Sequence, residues 1–297
     1  MKTVVLVDLN NLMFRALFSK DVNIRSPYNP NLQLWRYLVY DSIYTSLSMI
    51  QNVGEVVLAV DDKTSWRKSY FPRYKESRKE KREKVGINWD STFTTINAFI
   101  ADLKHHMPFK VIKARSAEAD DVIGVIAMSI NNPCVVSSND EDYLQLVSES
   151  VKVWNPSKRE YMVCDNPQEF LDMKCLMGQA KDDIFNVLTP NNWGQTPETL
   201  GKRKPGLGDV TAKKILKEGL EPWLSKNNLE ANFKRNKVLI DFQKIPQVIG
   251  NRIMDAYKQY NFPPPDNIFG FFKKYQMRGF IEDFDRVERK LLELYTR

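Results

Sequence analysis

The chain has 297 residues, of which 42% are hydrophobic, and its 44 basic residues outnumber its 37 acidic residues to give a net charge of +7. Three cysteines are too few for a disulfide scaffold, and with only two adjacent histidines they argue against a zinc site. The sequence contains no run of 18 apolar residues that could span a membrane. We therefore expect a soluble cytoplasmic protein with no membrane role, and the positive charge favours an anionic partner.

Three short apolar runs predict strands of a mainly parallel sheet, and each run leads to aspartates. The runs and the acids after them are residues 4–7 with Asp8, residues 56–60 with Asp61, and residues 135–138 with Asp140 and Asp142. Runs of this length and apolarity are typical of strands that are buried on both faces. Because the carboxyl ends of parallel strands open onto one crevice, we expect these carboxylates to meet there.

A basic stretch follows the second of these strands. Between Trp66 and Lys84 stand nine lysines and arginines and only three acids. One interpretation is a solvated surface helix with salt bridges at helical spacing. The other is that the stretch projects beside the acidic crevice, where its cations could hold phosphates.

Glu118, Asp120 and Asp121 form a second acidic cluster at the start of a predicted helix. Acids in a first turn suit the helix dipole, and an acid after a strand is often a helix cap or a turn residue. Three acids in four positions nevertheless exceed what capping needs. Capping and metal binding are therefore both open for each single acid.

Considered together, the acids predict a divalent metal site. Crowded carboxylates repel one another unless cations neutralise them, and oxygen-only ligand sets favour Mg²⁺ or Mn²⁺. There is room for two ions about 3.5–4 Å apart, the spacing that serves phosphodiester hydrolysis. The leading hypothesis is therefore a nuclease. The candidate ligands are Asp8, Asp61, Glu118, Asp120, Asp121, Asp140, Asp142 and Asp182.

Strand-like and helix-like segments alternate from residue 1 to about residue 178, and only helical segments follow. This pattern predicts an α/β domain over residues 1–178 and a helical region over residues 179–297. In the helical region, Gly206 and Gly208 form a tight turn before a predicted helix. Such a turn lets the backbone approach a phosphate, although a plain turn between two helices is the alternative.

These motifs, in this order, resemble the flap-endonuclease-type 5′ nuclease family. Within the family, Trp66-Arg67-Lys68 and residues 239–246 are similar to the branch of T-even-type phage ribonucleases H, which are 5′ to 3′ exonucleases. The matching residues are Val7-Asp8, Asn11-Leu12, Arg15-Ala16, Val60-Asp61, Arg67, Phe71-Pro72, Tyr74-Lys75, Arg78, residues 118–121, residues 137–142, Gln145-Leu146, Gly206, Gly208 and Thr211-Ala212.

The resemblance implies a PIN-like 5′ nuclease fold: a mainly parallel central sheet flanked by helices, with a helical arch at about residues 66–90. It also implies that the C-terminal helical region contains a helix-hairpin-helix at about residues 200–217. Two Mg²⁺ ions are implied as cofactors, with Mn²⁺ as a substitute. Asp8, Asp61 and Asp120 would hold the first ion, and the other five acids would form or surround the second site.

The resemblance further implies roles in catalysis and in nucleic-acid binding. Lys75 and Arg67 would contact the scissile phosphate and act with Asp8 and Asp120 as catalytic residues. The implied substrates are DNA with a 5′ flap or a single-stranded 5′ end and RNA–DNA hybrids. The implied nucleic-acid-binding residues are Arg73, Tyr74, Arg78, Lys79, Lys204, Gly206, Gly208, Thr211, Lys213 and Lys214.

In biological terms, the resemblance implies a monomer that removes lagging-strand RNA primers during phage DNA replication in the host cytoplasm. A single-stranded DNA-binding protein or a sliding clamp of the replisome is a candidate partner. One departure concerns Gln179, which stands where the family has an acid. It supports the alternative function, a catalytically inactive structure-specific DNA-binding protein. A haloacid-dehalogenase-type phosphatase is disfavoured because Asn10 occupies the position of its second aspartate.

Overall fold

The structure is a computed structural model that describes residues 1–24, 31–262 and 268–295. The strands form one sheet in the order β3-β2-β1-β4-β5-β6, and every neighbouring pair is parallel except the antiparallel pair of β5 and β6. The expected α/β class with a mainly parallel sheet is therefore confirmed. The strands are β1 (Thr3–Asp8), β2 (Val53–Ala59), β3 (Lys110–Ile112), β4 (Cys134–Ser137), β5 (Val151–Asn155) and β6 (Glu160–Met162).

The central strand β1 sets the level at which its two neighbours end. Asp8 is in register with Ala59 of β2, and Val7 is in register with Ser137 of β4. The interior of β1 is fully buried, as expected for a parallel strand that is covered on both faces. The loops that follow β1, β2 and β4 therefore begin at the same edge of the sheet.

The helices make up most of the remaining described chain. Short 3-10 helices also occur at Glu141–Leu146, Ala180–Asp182 and Phe242–Lys244. None of the helices within the described ranges is long and apolar enough to cross a membrane. The helices are α1 (Leu9–Leu17), α2 (Leu32–Met49), α3 (Trp66–Tyr70), α4 (Ser77–Glu83), α5 (Trp89–His106), α6 (Ala119–Ser129), α7 (Pro167–Met177), α8 (Asp209–Glu218), α9 (Leu220–Asn227), α10 (Glu230–Ile240), α11 (Gln247–Lys258), α12 (Ile268–Lys274), α13 (Arg278–Glu282) and α14 (Phe284–Leu292).

The chain forms two compact units. The first consists of the described residues of Met1–Thr64, Lys81–Val163 and Gln247–Arg297, and the second consists of Ser65–Glu80 and Cys164–Pro246. The first unit contains the whole sheet. The sequence suggested a boundary near residue 178 between a nuclease domain and a DNA-binding region. That boundary divides the chain by function and not by compactness, and it stays a prediction.

Aromatic side chains from the end of the chain complete the core of the first unit. The ring centroid of Tyr40, in α2, lies 5.1 Å from that of Phe272 and 4.9 Å from that of Phe280. Phe99, in α5, lies 5.9 Å from Phe271. All of these rings are buried. Helices α12 and α13 therefore pack with α2 and α5 as parts of the same core.

The second unit is organised around a buried arginine. Arg235, in α10, is only 3% exposed, and its guanidinium donates hydrogen bonds to the carbonyl oxygens of Phe185 at 2.9 Å and Thr189 at 3.0 Å. Burial lowers the pKa of Arg235 to about 10. The guanidinium donates to backbone carbonyl oxygens and not to an acid. Its role is therefore to hold the loop after α7 in place.

The hairpin region differs in part from two regular helices. Residues 191–201 form turns and bends, residues 202–208 are irregular, and α8 begins at Asp209. Pro190 and the positive φ angles of Gly194 (76°) and Gly201 (72°) explain why the residues before the hairpin do not form a helix. The helix that the sequence predicts after Gly208 is present.

Candidate active site

Asp8 ends β1, and its carboxylate is almost completely buried, with 4% of the residue exposed. Its Oδ1 accepts the N–H of Asn11 at 2.9 Å, which caps the start of α1. Its Oδ2 lies 3.0 Å from the hydroxyl of Tyr143 and 3.4 Å from the hydroxyl of Ser138. Hydrogen-bond donors therefore hold both oxygens of Asp8 in place.

Tyr143 connects a second carboxylate to this group. Its hydroxyl lies 2.7 Å from Oδ1 of Asp120, and the residue is fully buried. The 3-10 helix that carries Tyr143 begins after Asp140, whose Oδ1 accepts the N–H of Asp142 at 3.0 Å. Asp140 is linked to Asp8 through Ser138, whose hydroxyl accepts the N–H of Asp140 at 3.1 Å. Four candidate ligands thus belong to one hydrogen-bonded network.

Asp61 lies just after β2 and ties that strand to two helices. Its Oδ1 accepts the N–H of Ala119, the first residue of α6, at 2.8 Å. Its own N–H donates to Oδ1 of Asn10, in α1, at 3.0 Å. The structure therefore brings Asp61 to the same edge of the sheet as Asp8, and it also gives Asp61 a local structural role.

Glu118 and Asp121 form a capping box at the start of α6. Oδ2 of Asp121 accepts the N–H of Glu118 at 2.9 Å, and the side chain of Glu118 accepts the N–H of Asp121. Both residues are buried. Capping therefore describes the observed contacts of these two acids, and metal binding by them stays a prediction.

Burial and mutual repulsion perturb the acids at this edge. Burial raises the pKa of Asp8 to about 6, and the charges of Asp61 and Asp140 act in the same direction. The hydrogen bonds from Asn11 and Tyr143 oppose that rise. Burial, together with the charges of Asp120 and Asp8, raises the pKa of Tyr143 well above its usual value. Tyr143 therefore stays protonated and remains a hydrogen-bond donor.

The donor chemistry of this edge fits a hard divalent cation. The hydroxyl of Tyr143 has one proton for two carboxylates, and further acids lie close enough to repel Asp8. A cation with oxygen ligands would relieve that repulsion. In the described ranges, however, no three acidic, histidine or cysteine side chains are already arranged to hold a metal ion. The carboxylates would have to draw closer around an ion.

In the second unit, Asp182 pairs with two cations. Arg78 Nη2 lies 2.5 Å and Lys75 Nζ lies 3.8 Å from Oδ1 of Asp182. The neighbouring Asp183 accepts hydrogen bonds from the backbone N–H and the hydroxyl of Ser77. Asp182 was expected to bind metal and the two cations to bind phosphate. The observed contacts join these residues to each other, and each expected role stays a prediction.

Arg67 and Tyr74 are more deeply buried than phosphate or base contacts require. Arg67 is 3% exposed, and its Nε donates to the carbonyl oxygen of Leu239 at 2.8 Å. Tyr74 is 3% exposed and packs in the core of the second unit. The structure thus gives both residues a packing role, and their direct contact with substrate stays a prediction.

Arg73 and Lys204 meet at one aromatic ring. The guanidinium carbon of Arg73 lies 4.7 Å and Nζ of Lys204 lies 3.9 Å from the ring centroid of Phe185. Arg73 also donates to the carbonyl oxygen of Trp193 at 2.6 Å. Partial burial, followed by the charge of Arg73, lowers the pKa of Lys204. Two candidate nucleic-acid-binding residues that are far apart in sequence therefore form one concentration of positive charge.

The remaining candidate nucleic-acid-binding residues are exposed. A side chain at Gly206 or Gly208 would meet nothing within 4 Å, so the hairpin backbone is open to a ligand. Lys214 lies 3.7 Å from Glu218 in an exposed salt bridge, which contributes little to stability. The exposed residues are Lys79, Gly206, Gly208, Thr211, Lys213 and Lys214.

Gln179 is held by backbone hydrogen bonds across the turn of residues 179–184. Its N–H and carbonyl exchange hydrogen bonds with Ile184 at 2.9 and 3.0 Å. Gly178 precedes it with a φ of 68°, and a Cβ there would lie 2.4 Å from the carbonyl oxygen of Ile184. The turn that carries Gln179 and Asp182 therefore depends on a glycine at position 178.

Sequence reasoning did not identify Tyr143 or Ser138 as parts of the site. Both residues contact Asp8, and Tyr143 also contacts Asp120. The available signal was a tyrosine immediately after Asp142 in an acidic turn. Periodicity cannot show that a ring at this position reaches carboxylates on two other segments.

Two family models and several relatives match most of the chain. Residues 3–173 match the family model "5'-3' exonuclease, N-terminal resolvase-like domain", and residues 168–287 match "T4 RNase H, C terminal". Ribonuclease H of Enterobacteria phage T4 is 28% identical over 282 residues, which are 91% of each chain. The 5'-3' exonuclease of Buchnera aphidicola subsp. Schizaphis graminum is 24% identical and covers 63% of this chain and 66% of its own.

Solved structures show the same fold. A zinc-bound T5 5'-exonuclease superposes with a TM-score of 0.62 and 20% identity, over 86% of this chain and 99% of its own. A bacteriophage T5 flap endonuclease in a complex with DNA and metal ions gives a TM-score of 0.61 and 19% identity, over 87% of this chain and 100% of its own. At these identities the likeness is one of fold.

Proposed function

The chain belongs to the 5′–3′ exonuclease family, and we propose that it is a metal-dependent 5′ nuclease that hydrolyses phosphodiesters near the 5′ ends of branched DNA and RNA–DNA hybrids. One observation carries the proposal. A buried hydroxyl, that of Tyr143, contacts both Asp8 and Asp120 at the carboxyl edge of a parallel sheet, where the charges of Asp61 and Asp140 also act on Asp8. In a protein that only bound nucleic acid, a negative cluster facing the phosphates would weaken binding. The same cluster suits a site that binds metal cations.

Two Mg²⁺ ions, with Mn²⁺ as a substitute, are the proposed cofactors. Bound there, they would supply water activation and would neutralise charge on the reacting phosphate. Asp8, Asp61 and Asp120 would hold the first ion. The acids proposed for the second site or its surroundings are Glu118, Asp121, Asp140, Asp142 and Asp182.

The cations of the second unit are proposed to bind and orient the substrate. Lys75 would contact the scissile phosphate, where a fixed cation stabilises charge that develops in the transition state. Arg67 is proposed for the same phosphate. Phosphate and strand contacts are assigned to the other nucleic-acid-binding residues named from the sequence. Two observations support that assignment: the backbone of the hairpin is open to a ligand, and Arg73 and Lys204 both lie against the ring of Phe185.

The biological role that we propose is removal of lagging-strand RNA primers during phage DNA replication. The phage T4 relative is a ribonuclease H, and the fold is also that of a flap endonuclease solved with DNA and metal ions. We therefore propose both activities for this chain, as a monomer in the host cytoplasm. A single-stranded DNA-binding protein or a sliding clamp is the proposed replisome partner.

Cleavage assays test the proposal directly. A 5′-labelled flap substrate and an RNA–DNA hybrid are incubated with the protein in Mg²⁺ and in EDTA, beside the variant Asp140→Asn and the exposed control Asp255→Asn. We expect short products in Mg²⁺ from the wild type and from Asp255→Asn, and none in EDTA or from Asp140→Asn. Tight binding without cleavage in any metal would instead establish the alternative, an inactive structure-specific DNA-binding protein.

A further inference from the structure

The hydroxyl of Tyr143 lies at a junction of three chain segments. It is 3.0 Å from Oδ2 of Asp8, at the end of β1, and 2.7 Å from Oδ1 of Asp120, in the first turn of α6. Tyr143 itself lies in the 3-10 helix that begins after Asp140. One side chain thus touches two candidate metal ligands and lies on the same turn as two more, Asp140 and Asp142.

Burial of the Tyr143 ring restricts the position of its hydroxyl group. The residue is fully buried, and the short helix that carries it follows directly from β4 through Ser138. A buried aromatic ring has few accessible rotamers, so its hydroxyl is a fixed point to which the carboxylates can be oriented. An exposed serine or lysine at the same place would not provide such a fixed point.

The contacts of Asp8 show what the hydroxyl contributes. Oδ1 of Asp8 is held by the N–H of Asn11, whereas Oδ2 has the hydroxyls of Tyr143 at 3.0 Å and Ser138 at 3.4 Å. The Ser138 contact is at the long limit of a hydrogen bond. Loss of the Tyr143 hydroxyl would therefore leave Oδ2 of Asp8 with the weaker of its two donors and would uncouple Asp8 from Asp120.

We propose that Tyr143 is a positioning residue that keeps the carboxylates of Asp8 and Asp120 beside each other, so that both can close around a divalent metal ion. This inference rests on the proposed metal-dependent function. Outer groups that hydrogen-bond to metal ligands orient those ligands, and their loss weakens metal affinity or activity by about 10–100-fold. Tyr143 acts through the two carboxylates and makes no contact with substrate in this role.

The test is the variant Tyr143→Phe, which removes one oxygen atom and keeps the ring. Isothermal titration of the DNA-free protein with Mn²⁺ measures metal affinity apart from cleavage. We expect affinity to fall by about 10–100-fold. In cleavage assays, the Mg²⁺ concentration for half-maximal rate should rise by a similar factor, and the rate at saturating Mg²⁺ should approach that of the wild type.

The control is Tyr40→Phe, which removes a buried hydroxyl whose partner is Sδ of Met107, in the same unit but away from the carboxylates. It should bind Mn²⁺ as the wild type does. Unchanged Mn²⁺ affinity in folded Tyr143→Phe would overturn the inference. So would a loss of rate that saturating Mg²⁺ does not restore, or a variant that fails to fold, because either would show a role other than ligand orientation.

This test separates failure of the inference from failure of the proposed function. If the wild-type protein neither binds Mn²⁺ nor cleaves, the metal-dependent nuclease proposal itself fails. If the wild type binds and cleaves and Tyr143→Phe matches it in metal affinity, only the role of Tyr143 is refuted.

Discussion

Lys75 is joined to Asp182 through both its backbone and its side chain. Its N–H donates to the carbonyl oxygen of Asp182 at 2.9 Å, and its ammonium lies 3.8 Å from Oδ1 of the same residue. Lys75 also has a φ of 53°, a conformation that non-glycine residues seldom adopt. Backbone conformation and ion pairing thus fix the position of the lysine that we propose for transition-state stabilisation.

Substitution of that lysine should affect turnover more than binding. We expect Lys75→Ala to lower the cleavage rate by about 10²–10³-fold, the scale found when one preorganised donor to a transition state is removed. Affinity for duplex DNA should change little, because the proposed grip on the duplex lies in other residues. Single-turnover rates and fluorescence anisotropy measure the two quantities. A fall in affinity with an unchanged single-turnover rate would make Lys75 a binding residue only.

Asp182 should contribute to stability as well as to any role in metal binding. Its carboxylate is 8% exposed and accepts a charged hydrogen bond from Arg78 at 2.5 Å. We expect Asp182→Asn to lower the free energy of unfolding by about 1.5–3 kcal/mol, the usual contribution of a hydrogen bond to a charged group. Urea unfolding in EDTA measures this effect without metal. Asp165→Asn, at an exposed position in the same unit, is the matched control, and equal stability of both variants would refute the prediction.

Asp8 should be needed for cleavage and dispensable for DNA binding. Asp8→Asn retains a side-chain oxygen for the cap on Asn11 and loses the negative charge that a metal ion needs. We expect cleavage to fall by about 10²-fold or more, because a bound metal ion supplies several kcal/mol of transition-state stabilisation. DNA affinity in EDTA should hold or rise, because one charge that repels phosphates is gone. Full cleavage activity of this variant would remove Asp8 from the proposed metal site.

Arg73 and Lys204 should make phosphate contacts that depend on salt. Removal of each cation should make the slope of log affinity against log salt concentration shallower by about 0.9. Binding titrations of Arg73→Ala, Lys204→Ala and the double variant across salt concentrations measure the slope. Lys226→Ala, an exposed lysine on α9, is the control. An unchanged slope in the double variant would show that the pair does not contact phosphates.

The thiols should differ in reactivity in a way that depends on pH. Burial, followed by the charge of Glu55, raises the pKa of Cys134 to about 11. Burial also raises the pKa of Cys175, which is fully buried. Alkylation needs the thiolate, so its rate rises with pH, and at pH 8 about 10⁻³ of Cys134 would be ionised. We expect the partly exposed Cys164 to be alkylated first in native protein, as peptide mass spectrometry would show. Preferential labelling of Cys134 would contradict this.

The sequence predicted the sheet and its acidic edge because both depend on local patterns. Apolar runs that end in aspartate indicated where β1 and β2 deliver Asp8 and Asp61, and the register of the strands brings those ends level. No local pattern indicated that Tyr143 reaches Asp8 and Asp120. That contact depends on how a 3-10 turn packs against segments more than twenty residues away in sequence.

Two further features were outside the reach of local patterns for similar reasons. The spacing of Glu118 and Asp121 is compatible with a metal site and with a capping box, and only the side-chain geometry shows the capping contacts. Periodicity likewise reveals the apolar face of a helix and not the element that covers it. Local patterns therefore did not indicate that the aromatic residues of α12 and α13 pack in one core with those of α2 and α5.

The position of those last helices has a consequence for synthesis on the ribosome. Phe271, Phe272 and Phe280 fill the core between α2 and α5, so the unit that carries the acidic edge cannot bury its core until these residues have left the exit tunnel. Domains generally fold as units during translation. A nascent chain that stalls before residue 268 would expose a large apolar surface and become a target for chaperones and proteases. The same dependence would keep unfinished copies of a nuclease inactive in the cell that makes them.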